Sequence, residues 1–174
     1  NGGIKLFTVD GAKLRDIIIE DITMDNVRTP MMFRLGARLN VFRKKEDVQQ
    51  PVGLFERVQV RNVMAVADDD SQLDPPTGIL ITGIPGHYIT DLTLENIEIT
   101  LLGTGTEEHA ERVVQEAITE YPEVKTFGPY IPAYGVWARH VKNLVLKNVT
   151  FHLKNPDDRP EFIFDDAEKV EIYR

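Results

Sequence analysis

Short runs of alternating apolar and polar residues recur along the chain. The clearest run is Leu92 to Ile99, in which a polar pair ending at Asn96 separates two strand-like segments. Similar runs occupy residues 17–24, 58–63 and 144–151, and a shorter one occupies residues 170–172. Period-two alternation in segments rich in Val, Ile, Leu and Thr predicts β-strands.

Each of these runs has an apolar partner upstream, at residues 4–8, 31–35, 79–83, 136–140 and 162–165. Repeated two-strand units at irregular intervals are typical of a solenoid whose connections accept insertions. We therefore predict an all-β fold, a parallel β-helix of about five turns with one short helix in an inserted loop. The whole chain, residues 1–174, then forms a single domain.

The same bend of each predicted turn carries a short polar residue: Asp21, Asn62, Asn96 and Asn148. Parallel strands of successive turns lie about 4.8 Å apart, so these side chains should stack. Asn and Asp also tolerate a left-handed backbone and bond to nearby groups. A structural ladder is therefore favoured over a ligand site.

Two insertions interrupt the repeats. Residues 36–54 contain the cations Arg38, Arg43, Lys44 and Lys45, which could attract polyanions locally, although a solvated loop is the commoner reading. In the second insertion, residues 103–134, a helix is predicted from Thr106 to Tyr121, with Thr106 as its cap and Pro122 as its end. Its apolar stripe is expected to pack on the solenoid.

Composition limits the partners and the chemistry. The formal net charge of −8 argues against nucleic acid, and no apolar run is long enough to span a membrane. The absence of Cys excludes disulfides and thiolate metal sites. The sequence begins at Asn1 without Met or a signal peptide, so we expect it to be cut from a longer protein.

No metal or cofactor site is predicted. The acidic turn Asp68-Asp69-Asp70 is followed by Leu73 where a calcium loop requires Gly, and the distal Glu is missing. The four His residues show no ligand spacing.

Alternation also predicts which side chains point outward. If Ile4, Ile79 and Val136 face the core, the outward positions of the same strands include Lys5, Arg34, Trp137 and Arg139. Cations hold carboxylates and an indole stacks on a sugar ring, so these four residues are candidates for binding an acidic glycan. An equally supported reading pairs Arg139 with Asp165 and covers Trp137 with a loop.

Several motifs carry a family resemblance: Gly3-Ile4-Lys5-Leu6, Met24 to Pro30, Gly83 to His87, Phe127-Gly128-Pro129 and Pro132 to Val141. In this combination the chain resembles the C-terminal half of glycoside hydrolase family 28, the polygalacturonase-like enzymes. The resemblance implies a right-handed parallel β-helix of the pectin lyase-like type. It also implies hydrolysis of pectin-type acidic plant polysaccharide with inversion, and a secreted or periplasmic protein.

The catalytic signature of that family is not found in this chain. Its Asn-Thr-Asp and Gly-His-Gly motifs have no counterpart here, and the pairs Asp69-Asp70, Asp157-Asp158 and Asp165-Asp166 stand in the wrong sequence setting for its Asp-Asp motif. Its substrate-binding Arg-Ile-Lys motif corresponds to Gly3-Ile4-Lys5. The resemblance therefore implies a carboxylate-binding role for Lys5, whereas Gly3 stands where the family has Arg. Inversion needs two carboxyl groups ~6.5–9.5 Å apart, and no catalytic residue is predicted in this chain.

Two classes of function stay open at this point. The chain is either the C-terminal part of a pectin-degrading hydrolase or a non-catalytic carbohydrate-binding module that uses its cationic and aromatic face. In both cases the expected partner is an acidic plant polysaccharide or oligosaccharide. A structural scaffold is a more distant third reading.

Overall fold

Parallel β-strands dominate the structure, a computed structural model that describes residues 2–40 and 50–174. The strands are β1 (Ile4–Thr8), β2 (Lys13–Val27), β3 (Met31–Leu35), β4 (Leu54–Ala67), β5 (Ile79–Thr82), β6 (Ile89–Leu101), β7 (Val136–Leu153) and β8 (Phe162–Tyr173). One α-helical turn, α1 (Glu107–Ala110), and one 3₁₀ turn (Val124–Phe127) lie in the second insertion. Within the described ranges no helix has the length and apolar character needed to cross a membrane.

Every strand pairing in the sheet is parallel. β1, β3, β5 and the first part of β7 stack in one row. β2, β4, β6 and the second part of β7 stack in another row, and β8 pairs along both parts of β7. Strands of one row alternate along the chain with strands of the other, so the chain winds as an all-β parallel solenoid, as predicted.

The long strands turn sharply at residues with a left-handed backbone. β4 bends at Arg57 (φ 51°) and at Asn62 (φ 55°), and β6 bends at Asp91 and Asn96, both with φ 53°. The parallel pairing continues past each bend, because the neighbouring strand bends at the paired position. This conformation is costly for most side chains and least costly for Asn, Asp and Gly.

The polar ladder is present, as the sequence predicted. The side-chain amide of Asn62 donates to Asp21 at 2.8 Å, that of Asn96 to Asn62 at 3.0 Å, and that of Asn148 to Asn96 at 3.0 Å. All four residues have positive φ. The ladder therefore combines a conformational preference with hydrogen bonds between successive strands.

The predicted inward columns are also confirmed by the register. Met31 pairs with Ile4 and with Ile79, which in turn pairs with Val136. A second column runs from Leu6 through Phe33, Ile81 and Ala138 to Phe164. These columns join the side chains of the other row in one apolar core, in which most residues are fully buried.

The predicted helix from Thr106 to Tyr121 is wrong beyond its first turn. Helix α1 ends at Ala110, and residues 112–117 have no regular structure. Arg139 donates to the carbonyl of Val114, and Arg34 donates to the carbonyl of Ala117. A helix would need these carbonyls for its own hydrogen bonds, so tertiary contacts override the local helical pattern.

A buried ion pair fixes the second insertion to the loop before β8. The side chains of Asp157 and Arg159 are fully buried and lie 2.7 Å apart. Arg159 also donates to the carbonyls of Pro76 at 2.7 Å and Ile131 at 2.9 Å. Burial opposes ionisation of Asp157, but the hydrogen bonds and charge of Arg159 outweigh burial, so the pKa of Asp157 lies below its ordinary value.

The ladder should stabilise the fold through both its backbone conformation and its side chains. We expect Asn96→Ala to lower the free energy of unfolding by about 2 kcal/mol, because alanine disfavours positive φ and removes two hydrogen bonds. Asn96→Gly, which accepts the backbone conformation, should cost only about 1 kcal/mol or less. Urea unfolding measures both changes in the free energy of unfolding. Equal changes for the two variants would show that the positive φ at residue 96 does not contribute to the cost of alanine.

The buried ion pair should make stability depend on pH in the acid range. Asp157→Asn should lower the free energy of unfolding by about 3 kcal/mol at about pH 7, because Arg159 is left buried without its counter-charge. The folded pKa of Asp157 is depressed, so this stabilisation is present above the ordinary value of 3.8 and is lost as pH falls through the folded pKa. The difference between variant and wild type should therefore shrink at about pH 2. Asp158→Asn, at an exposed neighbour, is the control and should show neither effect.

Candidate functional site

The four predicted binding residues lie on one side of one row of strands. Lys5 pairs with Met32, and Trp137 pairs with Leu80 and Ile163. In the next outward column, Arg34 and Arg139 both pair with Thr82. The structure thus confirms that these residues share the outward side of the row formed by β1, β3, β5, β7 and β8.

The expectation that this face is open to solvent is wrong for three of the four residues. Arg34 is 1% exposed, Trp137 2% and Arg139 8%. The second insertion covers them because the outward face itself carries large apolar side chains that need burial. Trp137 belongs to a second apolar core with Met32, Leu73, Leu80, Val114, Ala117, Val124, Phe127, Ile131 and Ala133.

Arg139 is fully engaged under this insertion. Its Nε donates to Asp165 on β8 at 2.8 Å, and one terminal nitrogen donates to the carbonyl of Val114 at 2.8 Å. The other terminal nitrogen lies 3.3 Å from the carboxylate of Glu116. The guanidinium also lies 4.9 Å from the ring centre of Trp137. The reading that pairs Arg139 with Asp165 and covers Trp137 is therefore the one that the geometry supports.

Arg34 is buried with fewer partners. Within residues 2–40 and 50–174 its hydrogen bonds go only to the backbone carbonyls of Ala117 and Glu120, and its Nε has no partner. The hydroxyl of Thr82, which lies between Arg34 and Arg139 in the same column, is also buried and has no hydrogen-bond partner in the part of the chain that the structure describes. Burial lowers the pKa of Arg34, and the charge of Glu120 partly opposes this effect.

A cluster around His140 was not found by sequence reasoning. The two imidazole nitrogens lie 2.6 Å from the carboxylate of Asp166 and 3.0 Å from that of Glu116. The ring of Tyr88 packs edge-on against His140, and its hydroxyl bonds to Asp166. Hydrogen bonds from His140 and Tyr88 lower the pKa of Asp166. The four residues come from four separate segments, so no sequence spacing could have indicated the cluster.

Lys5 differs from the other three residues because its side chain remains partly exposed. It lies on β1, which has only one strand neighbour, β3, among the described residues. Partial burial lowers the pKa of Lys5, and the charge of Glu123 in the second insertion raises it in part. Lys5, the candidate that the Gly3-Ile4-Lys5 motif supplies, is therefore the accessible residue of the four, and it lies on the end strand of the row.

Two surface grooves lie away from this face, one along each bend of the second row of strands. The first, of about 600 Å³, follows the ladder from Asp21 to Asn148. The second, of about 500 Å³, passes Asp16, Arg57 and Asn143. In both grooves the polar side chains bond across successive strands, as Arg57 does with Asp16 at 2.7 Å. These grooves are therefore consequences of the bends.

The other candidate features do not build a site. Arg38 donates to Asp10, whereas Arg43, Lys44 and Lys45 lie outside the described residues. Asp69 pairs with Lys154 at 2.8 Å. Across the described ranges, no group of three or more His, Asp or Glu residues is arranged to hold a metal ion.

The buried position of Trp137 can be checked directly, because it is the only tryptophan of the chain. We expect native fluorescence emission at short wavelength and weak quenching by acrylamide or iodide, since the indole is covered by Phe127 and the second insertion. In urea the emission should shift to longer wavelength and quenching should rise. Native quenching as strong as that in urea would contradict the covered face.

The comparisons with known proteins add no family assignment. No family model, curated protein or solved structure matches this chain. The resemblance to glycoside hydrolase family 28 therefore stays an expectation from the sequence motifs.

Proposed function

We propose that the chain is the C-terminal part of a carbohydrate-active protein resembling glycoside hydrolase family 28, which hydrolyses pectin-type acidic polysaccharide with inversion. In this proposal the solenoid is a right-handed β-helix of about five turns that belongs to a secreted or periplasmic protein. Residues 1–174 are its C-terminal β-helix domain. Lys5, Arg34, Trp137 and Arg139 are its candidate substrate-binding residues.

The observation that carries the proposal is the outward face of β1, β3, β5, β7 and β8. Three cations and an indole occupy outward positions of neighbouring strands in a protein whose net charge is −8. Parallel strands lie ~4.8 Å apart, so Arg34 and Arg139, two strands apart, are about 10 Å from each other along the face, and Lys5 and Trp137, three strands apart, about 14 Å. The Gly3-Ile4-Lys5 motif lies on β1, at one end of this face.

The described residues do not supply the acid and base of an inverting hydrolase. Glu116 and Asp166 lie on either side of His140, so the imidazole fills the space that a sugar and a water molecule would need. In the proposed enzyme the two catalytic carboxyl groups belong to further turns next to β1, where Lys5 remains accessible.

A non-catalytic binding module is the second candidate, and Arg34 favours it. A buried guanidinium that bonds only to backbone carbonyls is an uncommon structural element, because buried charges are normally paired. Such a group fits a site for a carboxylated ligand. This candidate needs no catalytic residue.

Both candidates give the same first experiment, a titration of the chain with oligogalacturonides at low salt. We expect measurable binding that weakens as salt rises, since local cations must attract the ligand against the repulsive net charge. Lys5→Ala should weaken binding several-fold because one exposed charge-assisted hydrogen bond is lost. Lys125→Ala, at an exposed site on the second insertion, is the control and should bind as wild type does.

The same samples test whether the chain binds polygalacturonate without hydrolysing it. Incubation with polygalacturonate should release no reducing ends, because residues 2–40 and 50–174 assemble no acid and base pair. Turnover by the purified chain would overturn this assignment, and a lack of any binding at low salt would remove both candidate functions.

A further inference from the structure

Residues 113–121, which we call the strap, cross the outward face with little packing. The strap has no helix or strand, and only Val114 and Ala117 among its nine residues are buried. Its two ends are held more firmly. On one side Arg112 donates to the carbonyls of Phe127 and Tyr130, and on the other side Val124 is buried in the second core. Within the strap, the carbonyl of Ile118 accepts a hydrogen bond from the backbone N–H of Ala37 at 2.7 Å, so displacing the strap would break this bond as well.

The strap supplies oxygen atoms to the cations beneath it. The carbonyl of Val114 and the carboxylate of Glu116 accept hydrogen bonds from Arg139, and the carbonyl of Ala117 accepts one from Arg34. A glycan of uronic acids offers the same groups, namely carboxylates and hydroxyl or ring oxygens. The strap thus occupies the positions that an acidic ligand would take on this face.

The strap does not satisfy the hydrogen-bonding capacity of all the polar side chains beneath it. The Nε of Arg34 and the hydroxyl of Thr82 are buried beneath it and have no hydrogen-bond partner among the described residues. Unpaired buried polar atoms destabilise the arrangement that buries them. Arg34 also receives only carbonyl oxygens from the strap, although its charge would be better compensated by a carboxylate. A carboxylated sugar would supply both the charge and the additional hydrogen bonds.

We propose that the strap is a displaceable substitute for ligand, and that an acidic oligosaccharide binds Arg34 and Arg139 by replacing it. The inference rests on the proposed function, and it adds a form of regulation to that site. Strap and glycan compete for the same guanidinium groups, so the apparent affinity is reduced by the fraction of molecules in which the strap is closed. Glu116 is the strap's own carboxylate, and it holds the closed state through Arg139 and His140.

Hydrogen exchange on the complete chain distinguishes displacement from ordinary binding. A ligand normally protects the segment that it touches, but here oligogalacturonide should increase amide exchange in residues 113–121. Exchange at the paired amides of β7 should stay unchanged, since the solenoid beneath does not move. The probe is oligogalacturonide at a saturating concentration and low salt. Its methyl-esterified form, which lacks the carboxylate charge, is the control ligand.

A pair of matched variants tests the competition. Glu116→Gln weakens the strap's contacts with Arg139 and His140, so strap exchange without ligand should rise and oligogalacturonide should bind several-fold more tightly. Glu111→Gln makes the same chemical change at an exposed residue of the same insertion, outside the strap. It should alter neither exchange nor affinity. Both substitutions lie at exposed positions, so the fold should be retained, which the fluorescence of Trp137 can verify.

The outcomes separate this inference from the proposed function. If oligogalacturonide binds while strap exchange is unchanged or reduced, the strap is a fixed part of the fold and the inference is wrong, although the proposed function stands. If Glu116→Gln binds no more tightly than Glu111→Gln, the competition is likewise refuted. If neither wild type nor Glu116→Gln binds at low salt, the acidic-glycan function fails and the inference fails with it.

Discussion

The left-handed bends are the constraint on which the rest of the structure depends. One bend carries Asp16, Arg57, Asp91, Asn143 and Lys169, and the next carries Asp21, Asn62, Asn96 and Asn148, all with positive φ. Because neighbouring strands bend at paired positions, the parallel register continues unbroken through both bends. A change of one residue at any bend would exchange inward and outward side chains for the rest of that turn. The outward face can therefore collect Lys5 and Arg139 from distant parts of the sequence.

That face is a second packing surface as well as a candidate binding surface. Met32 and Leu80 point outward from β3 and β5, yet both are fully buried, because the second insertion packs against them. The sheet thus separates two apolar cores, one inside the solenoid and one beneath the insertion. The fully buried pair Asp157–Arg159 joins this insertion to the loop before β8. The insertion belongs to the fold, and within it residues 113–121 contribute Val114 and Ala117 to the second core.

The sequence predicted the features that repeat and missed those that do not. Strand alternation and the polar bend residues are local signals, and the pairing of Phe33 with Leu6 and Ile81 follows from them once the register is known. The burial of Trp137 depends on where a connecting segment lies, which alternation does not encode. The helix predicted to reach Tyr121 failed because Arg34 and Arg139 bind the carbonyls that the helix required. The His140 cluster requires four segments to meet, so it too lay beyond local pattern.

The two buried guanidinium groups of the outward face, Arg34 and Arg139, show why a face rich in cations need not attract an anion equally along its length. Arg139 has Asp165 and Glu116 as partners, so its charge is largely compensated within the protein. In the described residues Arg34 has carbonyl oxygens and the ring of Phe127, 4.9 Å from its guanidinium carbon, and these compensate a full charge less completely than a carboxylate does. A ligand carboxylate would gain more from Arg34 than from Arg139, because at Arg139 it would first have to displace existing carboxylates. On the proposed function, selectivity for an acidic sugar would therefore depend chiefly on Arg34, and accessible Lys5 would provide the initial attraction.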